Sequence, residues 1–296
     1  MLELVPQEAP AALRVQGDLA ALPFRRHGLR AAWASKSYVH LPRTAVPMAL
    51  HDLHRSLAVG SPTELVLFEG DMEHGTFAHD EFPGRSFSTW PADLLRAVVE
   101  GAGFEVDRMR LWHTPEGFGH HVVRAVRART LADTVGPDMK LLLCGLNPSV
   151  YSADVGSGFA RPGNRFWPAA LAAGIVDRPR DPLGALRRHG VGMTDVVKRA
   201  TARADELAPD EYRSGMQRLE RLAAWLEPAA ICFVGLAGWR TAIDRKATSG
   251  WQDHRIGGRP TYVMPNTSGL NASSSLADLT EHLRVAASAR DDSAHR

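Results

Sequence analysis

The sequence predicts an α/β protein with two domains, of which the C-terminal one has three layers around a parallel sheet. Three observations lead to this prediction. The chain has 296 residues, which is long for one domain and comfortable for two. In the C-terminal half, short apolar runs typical of buried strands alternate with amphipathic segments of helical period. The sequence has no stretch of eighteen apolar residues, so we expect no membrane-spanning segment.

The N-terminal half shows the elements of a smaller α/β domain. Helical periodicity followed by short strand-like runs predicts the helix Val46–Leu57 before the strand Glu64–Phe68. A second helix, Pro91–Ala102, is followed by a strand that begins at Gly103-Phe104. Together with the segment His40-Leu41-Pro42, this order resembles the C-terminal half of class I S-adenosylmethionine methyltransferases.

That resemblance implies an incomplete Rossmann-like domain over residues 1–130. The Gly-rich loop after a first strand, where S-adenosylmethionine would bind at a helix N-terminus, is absent from this sequence. We therefore expect no cofactor and a structural or docking role, by analogy of fold alone. A working methyltransferase is the alternative that the missing loop argues against.

A histidine- and arginine-rich segment, His113–Arg129, closes the N-terminal half. It is predicted to be a strand or a solvated basic linker. Metal binding is the alternative, but the segment has no cysteine or carboxylate partners at ligand spacing. The domain boundary is predicted within Thr130–Asp138, which contains Gly136-Pro137.

The C-terminal half is predicted to alternate strands and helices over residues 131–286, followed by a disordered tail, 287–296. Gly190–Val197 is interpreted as a loop and turn. The predicted strands are 139–144, 230–234 and 260–264, and the predicted helices are 164–174, 181–189, 210–226, 237–244 and 276–286.

The first of these strands ends in a polar side chain. Gly145 breaks the apolar run Met139–Cys144, and Asn147 follows just before the helix-incompatible Pro148. The carboxyl ends of strands are where open α/β sheets bind ligands, so Asn147 is well placed for chemistry. The alternative is an Asn-Pro turn that only ends the strand.

The residues after Asn147 favour a functional role for this side chain over a simple turn. A loop of small residues leads to Phe159, and then to Pro162-Gly163-Asn164 and Arg165-Phe166-Trp167. A second motif, Met264–Asn271, reads Met-Pro-Asn-Thr-Ser-Gly-Leu-Asn. Two motifs in this order resemble the mismatch-specific uracil/thymine-DNA glycosylases, a branch of the uracil-DNA glycosylase superfamily. The resemblance covers roughly residues 131–286.

The resemblance implies a monofunctional enzyme of base excision repair that acts on double-stranded DNA. It would hydrolyse the N-glycosidic bond of uracil, or of thymine or damaged pyrimidines, opposite guanine. Asn147 would hold the hydrolytic water. The remaining residues implied to bind the substrate are Leu146 and Phe159 through their backbone N–H groups, Phe159 as the stacking face, Ser152 at the C5 edge of the base, Leu270 as an apolar wedge, and Asn164, Asn266, Ser268 and Gly269.

Several positions depart from the pattern of that family. Ser149 replaces a Gly, Thr267 replaces a Pro, and Ala272 stands where an Arg is common, while Asp195 falls where one relative carries a Lys. Other branches place a carboxylate in the first motif, and here the nearest is Asp154, seven residues after Asn147. A catalytically weak module that binds DNA lesions is therefore the alternative function.

Composition adds few constraints. A net charge of +2 and a pI near 8.7 permit a nucleic-acid partner without arguing for one. The two cysteines, Cys144 and Cys232, lie in apolar runs and are predicted to be structural thiols. They are too few for an iron-sulfur cluster. With no secretory signal in the sequence, we expect a cytoplasmic monomer without a metal.

Overall fold

The computed structural model describes residues 12–77, 80, 82 and 84–289. These residues form two five-stranded sheets, one in each half of the chain, each packed against helices. The predicted fold class is confirmed, since strands and helices alternate in both halves. In the part of the chain that is described, no helix is long and apolar enough to cross a membrane.

The elements of the N-terminal half are β1 (Ala32–Ser35), α1 (Val46–Ser56), β2 (Pro62–Glu69), β3 (Thr89–Trp90), α2 (Ala92–Gly101), β4 (Phe104–His113) and β5 (Gly119–Arg127). Their sheet has the order β1-β2-β5-β4, and β3 pairs with the last two residues of β2. Strands β1 and β3 run parallel to β2, whereas β5 is antiparallel to both β2 and β4. The histidine- and arginine-rich segment is mainly strand β5, one of the two structures predicted for it.

The elements of the C-terminal half are β6 (Leu141–Gly145), α3 (Val150–Val155), α4 (Phe166–Ala172), α5 (Pro182–His189), β7 (Val191–Asp195), α6 (Pro209–Leu226), β8 (Ile231–Val234), α7 (Leu236–Ala242), β9 (Gly250–Ile256), β10 (Arg259–Met264) and α8 (Leu276–Ala287). Their sheet has the order β7-β6-β8-β10-β9 and is parallel except for β9. Helices cover both faces, which makes the three layers that were predicted.

The structure differs from the predictions for the C-terminal half at three places. The interpretation of Gly190–Val197 as a loop and turn is wrong, because Val191–Asp195 is strand β7, buried beside β6. Strand β9 was not predicted, since its exposed edge position gives no continuous apolar run. Ala287 ends helix α8 rather than beginning a tail, and the tail from residue 290 onward lies outside the described residues.

A buried ionic cluster holds the linker that follows the N-terminal half. The carboxylate of Asp133 accepts hydrogen bonds from Thr194 Oγ1 and Lys198 Nζ at 2.7 Å, and from Arg218 Nη1 at 2.8 Å. Burial alone would raise the pKa of Asp133, but Arg218 and Lys198 outweigh it and hold the pKa below its ordinary value. Because Asp133 lies in the predicted linker and Arg218 on α6, this cluster fixes the linker against the C-terminal sheet.

Candidate active site

The segment after strand β6 is fixed by hydrogen bonds to a segment that follows β7. Val197 N donates to Leu146 O at 2.9 Å, and Thr201 N donates to Pro148 O at 3.2 Å. Ser149, the residue that replaces a family Gly, accepts a hydrogen bond from Ser152 N through its side chain and so caps helix α3. The segment that carries Asn147 is therefore held at both ends.

The amide of Asn147 has a defined orientation. Its Nδ2 donates to Thr201 Oγ1 at 2.8 Å and to Arg199 O at 3.0 Å, and lies 3.3 Å from Pro148 O. A carbonyl can only accept, so Arg199 and Pro148 require the nitrogen on this side and direct Oδ1 the other way. Within the described residues no protein donor reaches Oδ1, which leaves it able to accept a hydrogen bond from water.

Phe159 presents a fixed aromatic face. Its φ of 57° is left-handed, a conformation that costs energy in a residue other than glycine. One face stacks on Phe166 with ring centroids 4.1 Å apart and planes 23° from parallel. The backbone N–H groups of Phe159 and Leu146 have no acceptor in the described part of the chain. These two donors are available to a ligand.

A cleft of about 690 Å³ connects the two motifs. This volume falls within the roughly 300–1,000 Å³ typical of small-molecule sites. Seven of the nine site residues predicted from the sequence line it: Leu146, Asn147, Phe159, Asn164, Asn266, Ser268 and Leu270. Their side chains or backbone groups are thus brought to one place, although more than 100 residues separate the two motifs.

The other two predicted residues do not line the cleft. Ser152 is 3% exposed, and its Oγ accepts hydrogen bonds from Ser149 Oγ and Ala160 N at 3.1 and 3.4 Å. Gly269 packs against the loop before α4, where a Cβ would approach Gly163 O to 2.7 Å. A side chain at position 269 would therefore displace one of the two loops.

The loop of the second motif is held from α4. Arg165 donates to Ser268 O at 3.1 Å and to Asn271 O at 2.6 Å, and also to Ser274 O. Three carbonyl contacts from one guanidinium fix this loop, and no local sequence pattern indicates them. Leu270 at its tip is 95% exposed, so it does not anchor the loop in the core.

Asn164 and Asp154 have roles that the structure specifies. Asn164 lines the cleft, and its Oδ1 accepts a hydrogen bond from Phe166 N at the start of α4. Asp154 forms a two-point ion pair with Arg129 at 2.6 and 2.7 Å, which lowers the pKa of Asp154 and engages both of its oxygens.

Asp195 ends β7 on the Phe159 side of the sheet. A Cβ placed on Gly145 would lie 2.3 Å from Asp195 Oδ1 and 3.5 Å from the tip of the Phe159 ring. In the described residues no group donates to this carboxylate, and burial raises its pKa to about 6. Gly145 is therefore required to make room for a carboxylate that lies beside the stacking ring.

Metal and thiol chemistry have no support at this site. No three His, Cys, Asp or Glu side chains among the described residues are grouped to hold a metal ion. Cys144 and Cys232 are buried with free thiols, and burial raises the pKa of both. Both thiols are structural, as predicted.

Comparisons with solved structures concern the N-terminal half. The chain is similar to a SAM-dependent methyltransferase from Methanosarcina mazei, with 16% identity and a TM-score of 0.35, over 43% of this chain and 77% of that one. It is also similar to 1,6-didemethyltoxoflavin-N1-methyltransferase from Burkholderia thailandensis, with 16% identity and a TM-score of 0.36. That match covers 43% of this chain and 55% of the Burkholderia enzyme, so this chain spans about half of its length.

A family comparison concerns the half that contains the cleft. The sequence profile described as the Uracil DNA glycosylase superfamily matches residues 132–287, slightly more than half of the chain. This range begins before β6 and ends with α8, so it includes both motifs and every residue that lines the cleft. The resemblance expected from the sequence is confirmed at this level, and the chain belongs to the uracil-DNA glycosylase superfamily.

Proposed function

We propose that the protein is a monofunctional DNA glycosylase that removes uracil mispaired with guanine from double-stranded DNA, acting as a monomer. The observation that carries the proposal is the orientation of Asn147, whose Nδ2 is engaged by Thr201 and Arg199 while Oδ1 is free. An amide held in this way can place a water molecule for attack on a sugar carbon. Membership of the superfamily supports the removal of a base from DNA. The uracil-guanine mismatch is the part of the substrate that we propose in addition.

The proposed reaction requires the target base to leave the duplex and enter the cleft. The free face of Phe159 would stack on the base, opposite the face that contacts Phe166. The unpaired N–H groups of Leu146 and Phe159 would donate to its carbonyl oxygens. As the glycosidic bond breaks, negative charge develops on the departing base, and preorganised donors stabilise that charge.

Water would complete the hydrolysis. A carboxamide is not a base at neutral pH, so Asn147 contributes by positioning the water, and no carboxylate in the first motif activates it. Asp154 does not take that role in this proposal, because Arg129 engages both of its oxygens. The expected enzyme is therefore slow.

The choice between uracil and thymine would depend on Ser152. Ser152 does not line the cleft, but its Oγ accepts a hydrogen bond from the N–H of Ala160, the residue after Phe159, so its effect on the base would pass through that loop. Discrimination by one methyl group amounts to roughly 1–3 kcal/mol. We therefore expect uracil to be removed faster than thymine, with both opposite guanine.

Single-turnover excision from a uracil-guanine duplex tests the proposal. Asn147→Ala should lower the rate by about 100-fold or more, as when one preorganised polar group is lost, with DNA affinity nearly unchanged. The matched control is Thr201→Val, which removes one partner of Nδ2 and leaves Arg199 O in place. Since one neutral hydrogen bond contributes about 1 kcal/mol, this control should lose tenfold at most.

Two results would contradict the assignment. Equal rates for the wild type and Asn147→Ala would remove the amide from the mechanism. Tight binding of the mismatched duplex by the wild type without any base release would instead favour the alternative function, a module that binds lesions without cutting them.

A further inference from the structure

A second cavity lies at the junction of the two halves, behind the loop that carries Phe159. It measures about 280 Å³ and is partly enclosed. Its walls come from α1 and β5 on one side and from the α3 loop and β7 on the other. The proposed glycosylase reaction makes no use of this cavity.

Arg127 is the unusual residue of this cavity. It is 3% exposed, and its side chain makes one hydrogen bond, from Nε to His54 O at 3.3 Å. Neither Nη atom has a partner among the described residues, and no carboxylate there forms an ion pair with it. Burial, together with the charge of Arg26, lowers the pKa of Arg127 to about 10, so the guanidinium remains charged at neutral pH.

A buried cation without an anion is costly, because the lost hydration is not replaced. An arginine cannot escape this cost by losing its proton at physiological pH. The free Nη donors of Arg127 are therefore suited to a ligand that supplies negative charge and several acceptor oxygens.

The other groups of the cavity favour an anion as well. Arg26 is held beside helix α3 by hydrogen bonds to Val155 O at 2.9 Å and Asp154 O at 2.8 Å, so its charge is fixed in place. Arg180 at the rim uses one donor, to Ala160 O at 3.2 Å. Of the two carboxylates in the wall, Asp181 is engaged by Arg188, which leaves Asp195 as the one without an ion pair.

We propose that Arg127, with Arg26 and Arg180, forms a binding site for a phosphate group at the junction of the two halves. Arg127 donates to the phosphate oxygens from inside the cavity, Arg26 supplies a fixed charge, and Arg180 closes the rim. The phosphate group belongs either to a free nucleotide or to the DNA backbone. Occupation of the site would hold the α3 loop, and with it Phe159, against the N-terminal half.

Thermal unfolding of the full chain in phosphate and in chloride, at equal pH and ionic strength, tests the site. The wild type should melt several degrees higher in phosphate, because a ligand that binds the folded state stabilises it. Arg127→Met should lose that increase. In chloride it should melt at the wild-type temperature or above, since an apolar side chain replaces an unpaired buried charge.

Two further variants separate binding from general effects. Arg124→Met on the same strand removes an exposed arginine that pairs with Glu64, and it should keep the full increase in phosphate. Arg127→Lys keeps a charge and should keep part of the increase in melting temperature in phosphate. An equal response of the wild type and Arg127→Met to phosphate would overturn the proposal, as would equal destabilisation of Arg127→Met in both buffers.

Two more measurements on the same proteins identify the source of the phosphate. If it is a free nucleotide, a deoxynucleoside monophosphate should raise the wild-type melting temperature at lower concentration than inorganic phosphate does. If it is DNA, the slope of log affinity against log salt should be smaller by about one for Arg127→Met. Either result supports the site. The proposal is overturned if neither is seen and phosphate does not raise the melting temperature of the wild type.

Discussion

Replacing Asp133 by Asn should strongly destabilise the protein. The carboxylate is 3% exposed and accepts three hydrogen bonds, from Thr194, Lys198 and Arg218. Asparagine keeps the shape but removes the charge, so two buried or nearly buried cations lose their counter-ion. Breaking a buried pair in this way costs about 3–5 kcal/mol.

The size of the effect can be measured as a melting temperature. For domains of 150–250 residues, 1 kcal/mol corresponds to roughly 2–4 °C, so we expect a decrease of about 6–20 °C. Far-ultraviolet circular dichroism reports on both halves, and tryptophan fluorescence includes a signal from their junction, where the ring centroids of Trp90 and Trp225 lie 5.7 Å apart. The control is Asp177→Asn, whose ion pair with Arg188 is exposed and should contribute little to stability.

The same substitution should change the pH dependence. The pKa of Asp133 is lowered in the folded state, so its stabilising contribution is complete above the unfolded-state value near 3.8 and is lost as the pH falls below it. Asp133→Asn should remove that part of the acid sensitivity. A decrease in stability below 1 kcal/mol at pH 7, or an unchanged acid profile, would refute the view that this cluster fixes the linker against the C-terminal sheet.

Two other substitutions test the site. Leu270→Ala should slow excision from paired DNA by tenfold or more and from single-stranded DNA much less, because an inserted leucine offsets the unstacking cost only in a duplex. The melting temperature of this variant should equal that of the wild type. An equal loss of excision rate on both substrates would argue against insertion. Leu276→Ala, a half-exposed leucine at the start of α8, is the control. Asp195→Asn should stabilise the protein by about 3 kcal/mol at pH 8 and little at pH 4. The reason is that a pKa raised from 3.8 to about 6 makes ionisation of Asp195 costly in the folded state as the pH rises from about 4 to 6. Unfolding curves at both pH values check the sign, and a destabilised variant at pH 8 would contradict it.

Much of the C-terminal fold could be predicted because its signals are local. Strands β6, β8 and β10 are short apolar runs, and a glycine ends or follows the first two. Strand β7 escaped prediction because Gly192 and Thr194 interrupt its apolar pattern. Its burial comes from neighbours distant in sequence: Met139, whose Sδ would lie 2.3 Å from a Cβ at Gly192, and Thr134, which pairs with Met193.

The sequence by itself determined where the first strand ends. A strand that ends at Gly145 presents Asn147 at the carboxyl edge of the sheet. That conclusion depends on backbone geometry and residue order, which neighbouring residues decide, whereas Phe159 and the second motif were indicated by the resemblance to a glycosylase family.

Only the tertiary structure decided how those residues are held. The amide of Asn147 is oriented by partners 52 and 54 residues later, and the second-motif loop is fixed by Arg165, more than 100 residues before it. Burial also depends on distant packing. Ser152 and Arg127 are enclosed by residues from other segments, whereas Leu270 stays in solvent, and Arg127 forms no ion pair among the described residues. Hydrogen-bond orientation and desolvation arise from groups that the fold brings together, so no local pattern in the sequence contains them.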